Sequence, residues 1–397
     1  MRVLYVAPYP PARDGIGDYT SVLARAVRSQ GVEVRVLLPR QGPGCPPEVI
    51  GALSWRSGAT DEVWQRIATF GPEVVHVQFA VAAFGVRTLA LLRWLRAARR
   101  KLGVPVVVTM HEVTRDTALL GGPGRALYRR ICSLSDLVIV HTEAAGRVLA
   151  GPVAALAGKA GSAGKVAVIP HPAAKRPASG VAAAELRARF GLADERIFLA
   201  FGFVHVDKGL PDLVRALGLL RRDDPTAAGQ VRVVIAGAVR RRNGPMRLFE
   251  ARDQLHLRVA LWQANRVGVR EQLVLTGYVP DSEVAGWFAA ADAAVLPYWR
   301  IEESGVAGLA VALGVPVLAS QVGGLGELFG NGRWTFPARN PGLLARVMAD
   351  FLAAPPELRE TARRDRQAAD VTAVAAATVA IYDRAAAATP GGMARVG

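Results

Sequence analysis

Short runs of β-branched and apolar residues alternate with amphipathic segments along most of the chain, and this alternation restricts the fold more than any other feature of the sequence. The strand-like runs are residues 2–7, 33–39, 74–78, 104–111, 137–142, 166–171, 197–203, 231–237, 273–278, 293–297 and 315–319. Strands that alternate with helices form parallel, doubly wound sheets, which bind ligands at the carboxyl ends of their strands. The sequence therefore predicts an α/β protein whose functional residues lie in the loops after the strands.

The length of the chain and two changes in composition indicate how these elements divide. At 397 residues the chain is too long for one ordinary hydrophobic core. Residues 150–164 are rich in Ala and Gly, and residues 173–180 are rich in Ala, Pro and Ser, which is typical of a linker. We expect two doubly wound domains, then a C-terminal helix and a disordered tail, over residues 1–178, 179–370, 371–388 and 389–397.

Charge and composition exclude several classes of protein. No apolar run reaches the roughly 18–20 residues of a membrane span, and the chain enters a strand at once, so we expect a cytoplasmic protein. Cys45 and Cys132 lack the spacing of a disulfide framework or a zinc site, and no metal site is predicted. The 49 Lys and Arg residues give a net charge of +16, which favours phosphate-bearing ligands or an anionic membrane unless it reflects a composition bias. They are dispersed over both halves, so no nucleic-acid partner is predicted.

One helix offers a candidate for membrane contact. Residues 89–102 place Arg93, Arg96 and Arg100 on one face and apolar residues on the other. A solvated face is the ordinary interpretation of this pattern. The alternative is peripheral contact with anionic lipid on the cytoplasmic face of a membrane.

The clearest candidate site lies in residues 293–327, which read as strand, loop, helix and strand. Ser304 is placed to cap the helix, with Gly305 and Val306 in its first turn. The first-turn N–H groups and the helix dipole favour an anion such as a phosphate. Glu302 and Glu303 precede the turn, and ionised carboxylates accept hydrogen bonds from the hydroxyl groups of a sugar.

Three further candidates follow other strands. Lys208 lies in the loop after the first strand of the second half, from which it and the helix start at Ser304 could reach one phosphate. Gly15, Ile16 and Gly17 form a predicted loop after the first strand, where glycine allows close approach of a ligand. His111 ends the fourth strand, where it either donates a hydrogen bond to a substrate or is an ordinary polar edge residue.

Several motifs follow one another along the chain, among them DGIGDYT, VVVTMHE, SLSDLVIVHTEAA, FGFVHVDKGL and SGVAGLAVALGVPVLASQVGGLGE. Their order resembles that of a known family, the retaining nucleotide-sugar glycosyltransferases of family four, which have the GT-B fold. The chain is most similar to mannosyltransferase-like members with an FGF-x5-KG loop and an SGV helix start. The resemblance implies two Rossmann-like domains facing a cleft, with the C-terminal helix crossing back to the first domain.

The resemblance also implies roles for the candidate residues. Gly15, Ile16 and Gly17 would approach the donor phosphates, His111 would lie near the donor sugar, and Lys208 would bind the diphosphate. The diphosphate would also meet the helix start at Ser304, Gly305 and Val306, and Glu302 or Glu303 would bind hydroxyl groups of the donor sugar.

The chain departs from the family pattern at three positions. Leu309 stands where a ribose-binding Glu is usual, Phe203 where an Arg accompanies the Lys, and His205 where the subgroup has another Arg. Either backbone amides and another Arg, such as one from positions 240–242, compensate for these changes, or the donor binds weakly.

The resulting prediction is a metal-independent, retaining glycosyltransferase without a bound cofactor. It would move a hexose, such as mannose, from a GDP- or UDP-linked donor to a hydroxyl group of a sugar, a lipid-linked acceptor or a small aglycone. The candidates for the acceptor side are Asp18, Gln78, Phe79 and Arg115. The alternatives are a GT-B nucleotide-sugar epimerase, or a catalytically degenerate binding protein, which the changes at Phe203 and Leu309 favour.

Overall fold

The structure is a computed structural model that consists of two compact units. It describes residues 1–12, 14–56, 58–153, 164–172, 177, 180–241, 247–359 and 370–388. One unit contains Met1–Pro172 and Ala369–Gly397, and the other contains Ala173–Ala368. Most of the predicted linker at 173–180 and all of the predicted tail at 389–397 lie outside the described residues.

The first unit is built on a seven-stranded sheet. Its strands are β1 (Arg2–Val6), β2 (Glu33–Leu38), β3 (Val49–Ala52), β4 (Val74–Phe79), β5 (Val106–Met110), β6 (Leu137–Val140) and β7 (Val166–Val168). They lie in the order β3-β2-β1-β4-β5-β6-β7, and every neighbouring pair is parallel. Because helices cover both faces of such a sheet, its central strands β4 and β5 are buried along their whole length. The strands point their carboxyl ends to one edge, where His111, His141 and His171 follow β5, β6 and β7.

Three of the six helices described next begin at a side chain that caps them. The six are α1 (Gly15–Arg28), α2 (Asp61–Phe70), α3 (Val81–Phe84), α4 (Thr88–Lys101), α5 (Val113–Leu134) and α6 (Glu143–Val148). Those that begin at a capping side chain are α1, α2 and α6. Asp14 caps α1 and Thr60 caps α2, each with a side-chain oxygen that accepts from first-turn amides. α4 buries Leu91, Trp94 and Leu95 in the core below the sheet and turns its arginines outward.

The second unit repeats the parallel plan with six strands. They are β8 (Arg196–Phe201), β9 (Val231–Ala236), β10 (Leu273–Leu275), β11 (Ala293–Leu296), β12 (Val317–Ser320) and β13 (Thr335–Phe336), in the order β10-β9-β8-β11-β12-β13. The helices are α7 (Ala183–Arg189), α8 (Leu210–Asp223), α9 (Pro225–Gly229), α10 (Arg247–Arg266), α11 (Asp281–Ala290), α12 (Gly305–Ala312), α13 (Gly323–Phe329) and α14 (Pro341–Ala353). The predicted α/β class, with two parallel Rossmann-like sheets, is confirmed.

The last helix, α15 (Val371–Ala387), belongs to the first unit although it follows the second in sequence. It packs along α1 and buries Val374, Ile381 and Tyr382 in the core on that face of the sheet. The Tyr382 hydroxyl lies 2.9 Å from the Tyr5 hydroxyl of β1. Among the described residues, no helix is long and apolar enough to cross a bilayer.

Candidate functional site

The loops after β8 and β9 run side by side at the carboxyl edge of the second sheet. The Gly202 amide donates to the Ala236 carbonyl oxygen at 2.9 Å, and the Val204 amide donates to the Ala238 carbonyl oxygen at 3.0 Å. This extension of the sheet pairing brings Arg240 beside Phe203, with Arg240 Cζ 5.1 Å from the centre of the Phe203 ring. A guanidinium over an aromatic face is a favourable contact that fixes a positive charge at this edge of the sheet.

Lys208 closes the loop after β8. It ends a 3₁₀ turn, Val206–Lys208, and its ammonium donates to the Tyr298 hydroxyl and to the Phe201 carbonyl oxygen, the latter at 3.5 Å. The ammonium also lies 4.1 Å from the centre of the Tyr298 ring. Burial lowers the pKa of Lys208 to about 7, because the charged form loses its hydration without gaining a carboxylate. An anionic ligand would supply the missing opposite charge.

The start of α12 lies beside this ammonium. Ser304 caps the helix as predicted, accepting from the Ala307 amide at 3.1 Å. In the described part of the chain, the Gly305 and Val306 amides have no acceptor. A Cβ at Gly202 would be 3.4 Å from Val306 Cγ2 and 3.8 Å from Lys208 Nζ, so all three groups converge within one unit. Free amides at a helix start beside a lysine can hold an anion.

The two glutamates before α12 differ from the expected pair of ionised carboxylates. Glu302 is buried, and its carbonyl oxygen accepts from the Gly324 amide at 2.8 Å, which fixes the turn against the start of α13. The pKa of Glu303 is raised to about 8. The largest cause is burial of its carboxyl group, and the negative charges of Glu302 and Glu327 add to it. Glu303 is therefore largely protonated at neutral pH, and its carboxyl group can donate as well as accept a hydrogen bond.

The three positions where the chain departs from the family pattern lie in different surroundings. Leu309 packs against the core that covers one face of the second sheet, so it supplies no hydrogen bond. Phe203 is one of the exposed aromatic residues, and His205 precedes the turn that ends at Lys208. Of the three arginines considered for compensation, Arg240 stacks on Phe203, whereas Arg242 lies outside the described residues.

The loop predicted at Gly15, Ile16 and Gly17 is wrong, because these residues form the first turn of α1. The Asp14 carboxylate accepts from the Ile16 amide at 2.9 Å and from the Gly17 amide at 3.1 Å. A negative cap already uses the donors that would meet a phosphate. The two glycines in the sequence suggested a flexible loop, but the aspartate before them starts a helix.

The first sheet contains a buried network of histidines that the sequence analysis did not find. The Tyr382 hydroxyl is 2.6 Å from His76 Nδ1, and His76 Nε2 is 3.2 Å from Gln78 Nε2. Gln78 Oε1 is 2.9 Å from His111 Nε2, and His111 Nδ1 is 3.2 Å from His141 Nε2. This hydrogen-bonded chain joins the C-terminal helix to the carboxyl edge of the sheet. In the described ranges, no group of three or more His, Cys, Asp or Glu residues is placed to hold a metal ion.

The number of ring N–H groups limits which hydrogen bonds the histidine network can form. His141 Nδ1 lies 2.9 Å from the Ile169 carbonyl oxygen, which only accepts, so this nitrogen carries a proton. With Gln78 Oε1 facing His111, the two rings must donate three hydrogen bonds, but two neutral imidazoles carry only two N–H groups. Burial lowers the pKa of His111 and His141, so a shared extra proton is unfavourable. We therefore expect the amide of Gln78 to turn over, so that its NH₂ group donates to His111.

The buried histidines predict loss of stability in acid. Burial lowers the pKa of His76 and of His141 to about 3, whereas an unfolded histidine titrates near 6.5. Their stabilising effect is complete above about pH 6.5 and is lost as the pH falls towards 3, because only the unfolded chain binds these protons. The loss should be roughly 2 kcal/mol for each histidine at pH 5. Urea unfolding at pH 7.5 and pH 5 measures it, and the substitution His141→Gln should reduce the difference. An unchanged difference would show that His141 does not contribute.

Two of the four residues predicted on the acceptor side are inaccessible. Phe79 is fully buried among Phe84 and Tyr128, and Gln78 is fully buried in the histidine network. These predictions are wrong because β4 is covered on both faces. Asp18 lies exposed on α1, and the exposed Arg115 bonds to Glu112 at 2.6 Å.

Comparisons with known proteins agree on the family and the fold. A model described as Glycosyltransferase Family 4 matches residues 13–172, and one described as Glycosyl transferases group 1 matches residues 195–354. A D-inositol 3-phosphate glycosyltransferase of Xylanimonas cellulosilytica is 30% identical, over 82% of this chain and 81% of the relative. Sucrose-phosphate synthase of Thermosynechococcus elongatus has a TM-score of 0.71 at 19% identity, covering 98% of this chain and 100% of that one. Anabaena HepE in complex with UDP has a TM-score of 0.68 at 17% identity, covering 97% and 100%.

Proposed function

Since the chain belongs to glycosyltransferase family 4, we propose that it transfers a hexose from a nucleoside-diphosphate sugar to a hydroxyl group of an acceptor. The observation that carries this proposal is that Lys208 and Val306, in the first turn of α12, both lie close to Gly202, while the Gly305 and Val306 amides have no acceptor in the described part of the chain. An ammonium with a lowered pKa beside a helix start is suited to a ligand with two or more negative charges, such as a diphosphate.

The proposed reaction depends on stabilising the leaving group. The bond between the anomeric carbon and the diphosphate oxygen breaks, and a bond from that carbon to the acceptor oxygen forms. The acceptor proton passes to the departing diphosphate, and the new bond forms on the face that the diphosphate leaves, so the configuration is retained. Lys208 and the dipole of α12 face the negative charge that develops, so we propose that no divalent cation is needed.

The donor and the acceptor are proposed as classes. HepE forms complexes with UDP and with UDP-glucose, which makes uridine-linked hexoses the first donors to test, before GDP-linked hexoses such as GDP-mannose. The Xylanimonas relative is named for a phosphorylated inositol. A polyol or sugar carrying a phosphate is therefore the acceptor class proposed first, and the net charge of +16 suits it.

The test is release of nucleoside diphosphate from UDP- and GDP-linked hexoses, with and without hydroxyl acceptors, in the presence and absence of EDTA. The proposal expects acceptor-dependent release that EDTA does not reduce. Loss of activity in EDTA that is restored by Mg²⁺ would contradict metal independence. Tight nucleotide binding without any transfer of sugar would favour the alternative, a catalytically degenerate binding protein. The apolar packing of Leu309 is the observation that supports this alternative.

Arg240 should serve as the second cation of the donor site. It is exposed, it stacks on Phe203, and its loop pairs with the one that leads to Lys208. The substitution Arg240→Ala should raise the KM for the donor about tenfold and leave kcat nearly unchanged, because one charge-assisted contact is lost in the ground state and the transition state alike. The neighbouring Arg241→Ala is the matched control. Equal effects of both substitutions would indicate a general loss of positive charge.

A further inference from the structure

Helix α10 carries apolar side chains on the face opposite to its buried one. The buried face consists of Asp253, His256, Ala260 and Ala264. On the outer face the exposed fractions are 75% for Leu248, 60% for Leu255, 38% for Val259 and 55% for Trp262. Their spacing of seven, four and three residues places them on one stripe, about 21 Å long at 1.5 Å per residue. The stripe remains uncovered within the described part of the chain.

Arginines accompany the apolar stripe. The exposed arginines of α10 are Arg247, Arg252, Arg258 and Arg266. Of the two acids on the helix, Asp253 is fully buried, so Glu250 is the one acid of α10 that faces outward. Arg266 Cζ lies 4.9 Å from the centre of the Trp262 ring, which keeps a guanidinium directly on the stripe. The outer face of α10 is therefore apolar and positively charged together.

The apolar area and the positive charge of this face indicate which kind of partner it fits. Four side chains of this size offer on the order of a few hundred Å² of apolar surface, below the roughly 800 Å² per partner of a specific protein interface. A helix that lies in a membrane interface needs less apolar area. Insertion of its apolar side chains into the bilayer and attraction between its arginines and the lipid phosphates act together. Arg with Trp and Leu on one helix is the composition of such helices.

We propose that the outer face of α10 binds the surface of an anionic phospholipid membrane. Leu248, Leu255 and Trp262 would enter the boundary between headgroups and acyl chains, and Arg258 and Arg266 would contact lipid phosphates. This assigns membrane contact to α10 instead of α4, which has outward arginines but buries its apolar stripe. The proposal is independent of the transferase reaction.

The test is flotation of the full chain with vesicles of phosphatidylcholine alone or mixed with phosphatidylglycerol. We expect binding to the anionic vesicles only, weakened by salt. The double substitution Leu255→Ser and Trp262→Ser should reduce it about tenfold or more, because two inserted side chains are lost. The substitution Leu119→Ser, at an exposed leucine of the first unit, is the matched control and should change nothing.

Three outcomes would overturn the proposal. One is the absence of binding to anionic vesicles. Another is loss of binding when Arg93, Arg96 and Arg100 of α4 are replaced by Gln while the α10 variant still binds. The third is a dimer in sedimentation that the α10 substitutions dissociate, which would show that a second copy of the chain covers this face.

Discussion

Replacing Lys208 by Ala is expected to lower kcat/KM for the nucleoside-diphosphate sugar about a thousandfold. The ammonium and Val306, in the first turn of α12, both lie close to Gly202, and in the proposed reaction the ammonium faces charge that grows as the diphosphate departs. Removing one preorganised donor of this kind typically costs two to three powers of ten in rate. Steady-state kinetics on purified Lys208→Ala and Lys208→Met measure the effect, and thermal unfolding shows whether the fold is retained.

The pH dependence separates an electrostatic role of Lys208 from a structural one. Its pKa is lowered to about 7 in the free protein, and a bound diphosphate should raise it. Affinity should therefore be highest below pH 7 and should fall as the pH rises above 7, because binding then requires uptake of a proton. Lys208→Met should lose this dependence. An unchanged pH profile in that variant would contradict the assignment.

The substitution Gly209→Ala is expected to lower the free energy of unfolding by about 3 kcal/mol and to impair catalysis as well. Gly209 has φ +65°, and a Cβ there would overlap the Pro297 carbonyl oxygen and approach Trp299 Nε1 to 3.2 Å. To relieve that overlap, the backbone at Gly209 must shift, and this residue directly follows Lys208. Urea unfolding and donor kinetics measure the two effects.

Gly191→Ala is the matched control for Gly209→Ala. Gly191 has the same φ of +65°, but a Cβ there would meet nothing within 4 Å. The control should cost only about 1 kcal/mol, which is the price of a left-handed backbone for alanine. Equal losses in the two variants would show that backbone strain, and not the contact with the Pro297 loop, explains the effect.

Local patterns in the sequence were sufficient to predict the fold. Val- and Ile-rich runs separated by amphipathic segments predict buried parallel strands, and the Ser304 cap of α12 was found from a single residue type in the right place. The two strands that the pattern missed are β3 and β13, of four and two residues. Runs of two to four residues show no hydrophobic periodicity of their own. They become strands because they pair with a neighbouring strand.

The site was less predictable because its contacts join distant parts of the chain. His76 meets Tyr382 across 306 residues of sequence, and no spacing rule connects them. The same limit applies to Phe79, whose position after a strand suggested access to a ligand although its side chain points into the core. For Glu303, the neighbouring acids that raise its pKa include Glu327, which only the fold brings near.

The most direct test of the donor site is a calorimetric titration of the wild type and Lys208→Met with UDP, GDP, ADP and dTDP. We predict that one nucleoside diphosphate binds the wild type, without added metal, at least tenfold more tightly than it binds the variant, because an ammonium contact with a diphosphate is lost. If none of the four nucleotides binds, or if the bound one binds the variant equally well, then Lys208 and the start of α12 do not form the diphosphate site.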